Sequence, residues 1–205
     1  MPCAGLTAYQ ALVRKMNIQA GKSIFIQAGS GGVGGFAIII AKALGLRVIS
    51  SCSTQNIDYV LSLGADEVFD YTVSDIYSQI KQLYSQGVDY ILETTNKVNL
   101  QRDPEILAFN GQIASIVGIL DTNEISEFST GFGFHEVALG GAYLAKHYSS
   151  QTDLAQMGNE LLELLIRSGV SPQLNEYNFE DYPRAFAALK SSAQPGKIIL
   201  KIDQS

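Results

Sequence analysis

The sequence has 205 residues, of which 46% are hydrophobic and 17% are charged, whereas soluble domains average about 25% charged residues. This length suits one domain, and the composition excludes a disordered chain and favours a sheet buried on both faces. Fourteen Lys and Arg against twenty Asp and Glu give a net charge of −6, so we expect no nucleic-acid partner. No apolar run reaches the ~18 residues of a spanning helix, and no signal-peptide pattern is visible in the first residues. We therefore expect a cytoplasmic protein with reduced cysteines and no membrane partner.

Short apolar runs alternate with helical segments through the first half of the chain. The pattern predicts a first helix over residues 4–20 and helices over 32–44, 56–63, 74–85 and 102–109. It predicts strands over 23–27, 47–50, 67–70, 89–93 and 112–117. Such alternation is typical of βαβ units. We predict an α/β fold, namely a doubly wound Rossmann sheet of about six parallel strands with helices on both faces.

The regular alternation stops after Gly118. Residues 119–135 are polar and glycine-rich and predict a loop over a site. A sixth strand is predicted at 136–140, helices at 154–168 and 179–190, and a closing strand at 197–202. We therefore predict one domain, 1–205, consisting of a hinge and first helix (1–20), strands 1–5 (22–118), the loop (119–135) and a segment with the sixth strand, the last helices and the closing strand (136–202).

A glycine-rich turn joins the first predicted strand to the following helix. Gly29-Ser30-Gly31-Gly32-Val33-Gly34 matches G-x-G-x-x-G, in which the first glycine allows a tight turn, the second lets a pyrophosphate approach and the third lets the helix pack closely. The motif alone is weak, but its position between a strand and a helix predicts a dinucleotide site. A P-loop is excluded because no Gly-Lys-Ser/Thr follows. A purely structural glycine turn is the alternative.

The end of the second strand distinguishes the two nicotinamide dinucleotides. NAD binders place a carboxylate about 20 residues beyond the loop, but residues 50–56 contain only Ser, Cys, Thr, Gln and Asn. Hydroxyl and amide groups can donate to a 2′-phosphate, so NADP(H) is favoured over NAD(H). Alternatively, these side chains only cap the next helix, and no Lys or Arg stands among them.

Catalytic residues cannot be assigned from the sequence. His135 and His147 are isolated, Tyr143 and Lys146 lack the spacing of a Tyr-x-x-x-Lys pair, and no Cys-x-x-Cys is present. The sequence therefore predicts the cofactor-binding residues of a redox enzyme but not its catalytic residues.

Several segments together resemble the medium-chain dehydrogenases/reductases, in their alcohol dehydrogenase-like and quinone-oxidoreductase-like branch. They are residues 2–12 (PCAGLTAYQAL), 27–34 (QAGSGGVG), 63–66 (LGAD), 68–71 (VFDY) and 196–200 (GKIIL). The resemblance extends over residues 2–202. It implies the cofactor domain of an NADPH-dependent oxidoreductase that transfers hydride to a quinone, enone or aldehyde. The family's GroES-like N-terminal catalytic domain is absent from this sequence, so the resemblance implies that the isolated chain binds cofactor without turnover.

The resemblance also implies three groups of cofactor-binding residues. The pyrophosphate group comprises Gly29, Gly31, Gly32, Val33 and Gly34. The adenosine group comprises Ser51, Ser53 and Asn56 around the ribose, with Tyr71 near adenine. The nicotinamide group comprises Thr7, Val117 and Gly118.

The resemblance bears on metal and assembly as well. Cys3 stands where zinc-dependent relatives carry a zinc ligand, but one thiolate does not make a catalytic zinc site, so zinc is not expected. Residues 137–143 resemble the edge strand through which relatives dimerise, and a homodimer is expected. Two alternatives remain open, namely a domain of a zinc-dependent alcohol dehydrogenase and a non-catalytic nucleotide-sensing module.

Overall fold

A computed structural model describes residues 2–123, 125–126, 129–191 and 194–202, and its main element is a six-stranded parallel sheet. The parts of the predicted segments at 124, 127–128, 192–193 and both termini lie outside the described residues. The strands are β1 (Ser23–Ile26), β2 (Arg47–Cys52), β3 (Glu67–Asp70), β4 (Val88–Glu93), β5 (Leu107–Ser115) and β6 (Gly133–Glu136). Their order is β3-β2-β1-β4-β5-β6, with every pair parallel. The predicted Rossmann-type sheet is confirmed.

Helices cover both faces of this sheet. They are α1 (Ala4–Tyr9), α2 (Gly32–Ala43), α3 (Ile57–Ser62), α4 (Ile76–Leu83), α5 (Lys97–Arg102), α6 (Gly141–Leu144), α7 (Tyr148–Ser168) and α8 (Tyr182–Ser191). Alternate strand residues point to opposite faces, so Ile24 and Ile26 join the core under α1, α2 and α7, whereas Phe25 joins the core under α4 and α5. The apolar strands of the sequence reflect this burial on both faces.

Two helix predictions in the first half are wrong in extent. The helix predicted over 4–20 is α1 followed by a π-helical turn, Gln10–Lys15, and it ends before Asn17, whose φ is +47°. The helix predicted over 102–109 lies earlier, at α5, because the Asn96 side chain caps its first turn at 2.9 Å from Asn99 N. A 3₁₀ turn, Asp103–Ile106, then follows with Pro104 near its start, since proline disfavours continuation of the helix before it.

The predicted sixth strand is displaced. The observed β6 begins at Gly133, inside the segment predicted as a loop, and ends at Glu136. Phe132 and Phe134 pack against the core under α4 and α5, called the second core below, and this packing holds the segment on the sheet. After Val137 the chain turns, with Gly141 N donating to Ala138 O at 3.0 Å, and α6 follows. The predictions of a strand at 136–140 and of an edge strand at 137–143 are therefore wrong.

The C-terminal part forms a second, two-stranded parallel sheet. In it β7 (Leu174–Asn178) pairs with β8 (Lys197–Lys201), and α8 connects them. The closing strand is confirmed, whereas β7 was not predicted. Gly196 N donates to Ser30 O at 3.1 Å, so this unit is attached to the glycine loop. None of the described helices is long and apolar enough to span a bilayer.

Candidate dinucleotide-binding site

The glycine loop lies at the carboxyl end of β1, beside the point where the strand order reverses between β1 and β4. Ligands of open α/β sheets bind in this crevice. Gly31 N donates to Ala28 O at 2.9 Å, which closes the turn. The left-handed residue of the turn is Ala28, with φ +49°, whereas Gly31 has φ −79° and immediately precedes α2. The free N–H groups of the first turn of α2 therefore follow directly after Gly31.

The glycines of the motif have distinct steric roles. A Cβ on Gly34 would overlap the carbonyl oxygen of Ala28, and a Cβ on Gly29 would overlap Ser50 Oγ and lie 2.7 Å from Ile38 Cδ1. These two glycines let α2 pack against the sheet. A Cβ on Gly31 would meet only Ala28 O, at 3.2 Å. Gly31 therefore leaves open space in front of the loop, which fits the approach of a pyrophosphate.

Lys197 covers the start of α2. A Cβ on Gly32 would overlap Nζ and Cε of Lys197 and lie 3.4 Å from its Cδ. Because the N-terminus of a helix carries partial positive charge, an ammonium group there creates a strongly positive position that favours an anion. Sequence reasoning used the GKIIL segment only for the resemblance and did not identify Lys197 as a site residue.

Two cavities adjoin the glycine loop. The first has about 490 Å³ and lies between the loop and the C-terminal unit, where Ser30, Gly31 and Lys197 face the apolar side chains of Phe186 and Leu189. The second has about 430 Å³ and lies at the carboxyl ends of the central strands. It brings together the predicted Ser51 and Tyr71 with residues that were not predicted, namely Gln27, Ala28, Ser74, Asp75, Ile76, Tyr77, Thr95, Asn96, Asn99 and Arg102.

Ser53 and Asn56 are bonded to each other at the end of β2. Asn56 Nδ2 donates to Ser53 Oγ at 3.1 Å, and Asn56 N donates to Ser53 O at 2.9 Å. Asn56 is 4% exposed, and its Oδ1 lacks a partner among the described residues. Neither side chain accepts a capping hydrogen bond from the backbone of α3 or of the short 3₁₀ turn before it, so the alternative that these side chains only cap the next helix is wrong.

The structure brings one carboxylate to this edge that the sequence did not indicate. Asp70 ends β3 and pairs in register with Cys52, the last residue of β2. Its Oδ2 accepts a hydrogen bond from Thr54 Oγ1, and its Oδ1 accepts from Thr72 Oγ1 at 2.6 Å. These bonds from Thr54 and Thr72 hold the pKa of the Asp70 carboxyl below its usual value. Because Asp70 lies on the neighbouring strand, its distance along the sequence from the glycine loop does not identify it.

The residues predicted for the nicotinamide end lie on separate elements. Val117 N donates to Ser115 Oγ at 3.2 Å, just beyond β5. Gly118 has φ +155°, and a Cβ there would lie 2.8 Å from Lys97 Cε. Thr7 donates from Oγ1 to Cys3 O at 2.8 Å within α1. Within the described part of the chain, the walls of the two cavities do not include Thr7, Val117 or Gly118.

Cys3 and the two histidines have no shared partner. Cys3 is an exposed free thiol, and within the described ranges no three His, Cys, Asp or Glu side chains come together to hold a metal ion. His135 Nε2 lies 2.8 Å from Gln112 Oε1, and His147 Nδ1 lies 2.8 Å from Ser150 Oγ. Burial, and then the charge of Lys15, lowers the pKa of His135. Neither histidine lines the cavities beside the glycine loop.

Comparison with known proteins identifies the family. Residues 32–163 match the family model of the zinc-binding dehydrogenases. The chain belongs to this family. The predicted resemblance to the medium-chain dehydrogenases/reductases is thereby confirmed. Cys3 lies outside the matched residues, so the family name assigns no metal to it.

Curated relatives of this zinc-binding dehydrogenase domain are oxidoreductases. The trans-enoyl reductase pgmF of Aspergillus terreus is 32% identical over 98% of this chain, and the quinone oxidoreductase of Pongo abelii is 37% identical over 60% of it. The aligned region covers 57% of the length of pgmF and 38% of the length of the quinone oxidoreductase. The family is therefore one of enzymes, and the relatives are longer than this chain.

Solved structures share the fold. The CurK enoyl reductase matches 99% of this chain with a TM-score of 0.84 and 21% identity, and 61% of that chain is covered. A mycobacterial protein, Rv1454c, solved as a complex with NADPH, matches 98% of this chain with a TM-score of 0.82 and 20% identity, and 62% of that chain is covered. At these identities the likeness supports the fold alone.

Proposed function

We propose that this domain binds NADP(H) across the carboxyl ends of its central strands and serves an oxidoreductase that transfers hydride to a quinone, an enone or an aldehyde. The observation that carries the proposal is the ammonium group of Lys197 over the first turn of α2, in a cavity that Gly31 also lines. When bound, the nicotinamide supplies the hydride, and the protein supplies binding, orientation and electrostatics.

The pyrophosphate fits the glycine loop for three reasons. Gly31 leaves space in front of the turn, the first turn of α2 presents free N–H groups, and Lys197 adds a full positive charge at the same place. Lysine binds phosphate as a point charge. Gly29, Gly32, Val33 and Gly34 set the path of this loop and of the start of α2.

The choice of NADP(H) rests on the ends of β2 and β3. Residues 50–56 contain no acid, and the Asp70 carboxylate already accepts hydrogen bonds from Thr54 and Thr72. Ser53 and Asn56 supply neutral polar groups for the ribose, and Tyr71 is 57% exposed beside Ser51 in the second cavity. We place the adenosine half there. Thr7, Val117 and Gly118 serve the nicotinamide end.

The proposed reaction requires more than this chain. The enoyl reductase relative suggests reduction of an activated double bond, and the quinone oxidoreductase relative suggests a quinone as acceptor. Because both proteins are longer, we propose that the isolated chain binds cofactor without turnover. We also propose that the protein works in the cytoplasm without zinc, nucleic acid or membrane.

A titration with NADPH and NADH, followed by cofactor fluorescence, tests the proposal. We expect saturable binding of both, tighter for NADPH, and no enone or quinone reduction by the chain alone. Folded protein that binds neither dinucleotide contradicts the proposal, and tighter binding of NADH contradicts the choice of NADP(H).

A second proposal concerns assembly. β6 is the terminal strand of the main sheet, and an open strand edge is a ready surface for pairing with another chain. We place the homodimer contact at Gly133–Glu136 rather than at residues 137–143. Light scattering should give a dimer mass that becomes a monomer mass in Glu136→Pro, because proline removes a ladder donor and Glu136 is exposed at the open edge. A monomeric native chain contradicts it.

A further inference from the structure

A cluster of buried polar side chains lies directly behind the glycine loop. Gln27 follows β1, Glu93 ends β4, Tyr77 lies on α4 and Asp103 follows α5. Gln27 Nε2 lies 3.0 Å from the Tyr77 hydroxyl and 2.9 Å from Asp103 Oδ1, and it also contacts Glu93 Oε2. Glu93 and Asp103 are both 0% exposed. One amide nitrogen therefore lies between two carboxyl groups that are shielded from water.

The cluster contains more negative charge than it can neutralise. An amide nitrogen has two hydrogens, yet Gln27 Nε2 faces three acceptors. Arg102 stacks 4.1 Å above the Tyr77 ring, but its charge pairs with Asp75 at 3.0 Å. Among the described residues no cation forms an ion pair with Glu93 or Asp103. Two buried carboxylates this close do not both remain ionised.

The hydrogen bonds distinguish the two carboxyl groups. Glu93 Oε1 accepts from Thr95 Oγ1 at 2.6 Å, from Thr95 N and from Asn96 N at 3.1 Å. Such bonds stabilise the charged form. Asp103 Oδ2 has no partner among the described residues, and its Oδ1 lies 3.0 Å from the Tyr77 hydroxyl. The charge therefore belongs on Glu93 and the proton on Asp103.

The electrostatics agree with this assignment. Burial, reinforced by the charge of Glu93, raises the pKa of Asp103 well above its usual value, although the hydrogen bonds from Tyr77 and Gln27 act in the opposite direction. Burial also raises the pKa of Glu93, but the bonds from Thr95, Asn96 and Gln27 act in the opposite direction. The Tyr77 hydroxyl can accept the Asp103 proton in a hydrogen bond and donate to the backbone oxygen of Asn99, 3.0 Å away.

The charge on Glu93 acts on a segment of the cofactor site. Thr95 and Asn96, both held by Glu93, line the second cavity opposite Ser51 and Tyr71. Thr94 Oγ1 donates to Gln27 O at 2.8 Å, which ties the same segment to the start of the glycine loop. We propose that Glu93 is a positioning residue for the dinucleotide site, and that Asp103 is its neutral, proton-carrying partner. The binding part of this inference rests on the proposed function, whereas the proton assignment does not.

Infrared spectroscopy in D₂O tests the proton assignment without any cofactor. At neutral pH the native chain should show the C=O band of a neutral carboxyl group, and Asp103→Asn should lack it. Glu105→Gln, an exposed acid of the same turn that pairs with Lys81, should keep it. A native spectrum without the band, or a band that persists in Asp103→Asn, overturns the assignment.

The pH dependence of stability supplies a second readout. The folded chain keeps a proton on Asp103 that the unfolded chain releases above a pKa of about 3.9. Because the folded state binds more protons, this group lowers stability as pH rises above about 4, up to its raised folded pKa. Asp103→Asn should remove that decline, so it should be more stable than native at pH 8 and similar at pH 4. An unchanged slope overturns the assignment.

Dinucleotide titration tests the positioning role. Glu93→Gln should weaken NADPH binding about tenfold, equivalent to about 1.4 kcal/mol, while Asp103→Asn should stay within about threefold. Thr95→Val, which removes one donor to Glu93, provides a milder variant with binding intermediate between those of the native chain and Glu93→Gln. Native affinity in both Glu93→Gln and Thr95→Val overturns the role. If the native chain itself binds no dinucleotide, the proposed function fails, whereas the infrared result still decides the proton assignment.

Discussion

Lys197 and Gly32 are in contact although they come from opposite ends of the chain, and the lysine ammonium lies over the first turn of α2. The contact depends on the attachment of the C-terminal unit through Gly196 N and Ser30 O, at 3.1 Å. Glycine at position 32 makes it possible, since a Cβ there would overlap the lysine side chain. Residues that are far apart in the sequence thus meet at the position where we propose that the pyrophosphate binds.

Lys197→Met should weaken NADPH binding about tenfold, since the lysine charge lies where the pyrophosphate is proposed. The loss should shrink at high salt, because salt screens the native interaction. Lys201→Met is the matched control, because Lys201 lies on the same strand but pairs with Glu176. Fluorescence titration at two salt concentrations measures both variants. Equal affinities of Lys197→Met and Lys201→Met would refute this role.

Gly31→Ala should abolish detectable dinucleotide binding while the fold persists. The new Cβ meets only Ala28 O at 3.2 Å, so folding is little affected, but the methyl group fills the space in front of the loop. Gly158→Ala is the control, because nothing lies within 4 Å of its Cβ position on α7. Thermal unfolding and titration of both variants check this. Unchanged binding in Gly31→Ala argues against a pyrophosphate at the loop.

Asp70→Asn should strengthen NADPH binding about two- to fivefold, the range typical of exposed charge interactions, and leave NADH binding unchanged. The substitution removes a negative charge beside the proposed 2′-phosphate position, and an asparagine oxygen can still accept from Thr54 or Thr72. Glu180→Gln, an exposed acid on the C-terminal unit, controls for net charge. Parallel titrations with both dinucleotides give the selectivity ratio. If the ratio of NADPH affinity to NADH affinity is the same in Asp70→Asn as in the native chain, the 2′-phosphate does not lie beside Asp70.

The first five strands, the sheet class and the glycine loop could be predicted from local sequence, because their signals lie within a few residues of one another. β6 could not, because Gly133 interrupts its pattern and Phe134 is held by packing against the second core. The start of α5 depends on a single capping side chain, Asn96. Both are decided by tertiary contacts or by one hydrogen bond rather than by periodicity.

The site was predictable only in part for a related reason. Gly29, Gly31 and Gly34 belong to one continuous motif, whereas Lys197 and Asp70 reach the site through strand order and register. Glu93 and Asp103 contact the same amide group of Gln27, and no spacing rule in the sequence connects them. Long-range pairing therefore accounts for the residues that the sequence did not reveal.

Glu160→Gln should destabilise the chain at neutral pH and have little effect near pH 2. Hydrogen bonds from Arg14, and then from Tyr9, lower the pKa of Glu160 to about 2. Its stabilising contribution is therefore present above the unfolded pKa of about 4.3 and is lost as pH falls towards 2. Urea unfolding at pH 7 and at pH 2 measures the difference, with Glu163→Gln on the same helix as control. A difference that is the same at both values would count against this interaction.

The most direct test of the central claim is calorimetric titration of the folded native chain with NADPH. The structure predicts one NADPH per chain, with affinity reduced in Lys197→Met and retained in Lys201→Met. Heats no larger than those of dilution, from protein that unfolds cooperatively, would contradict the assignment of a dinucleotide site at the glycine loop.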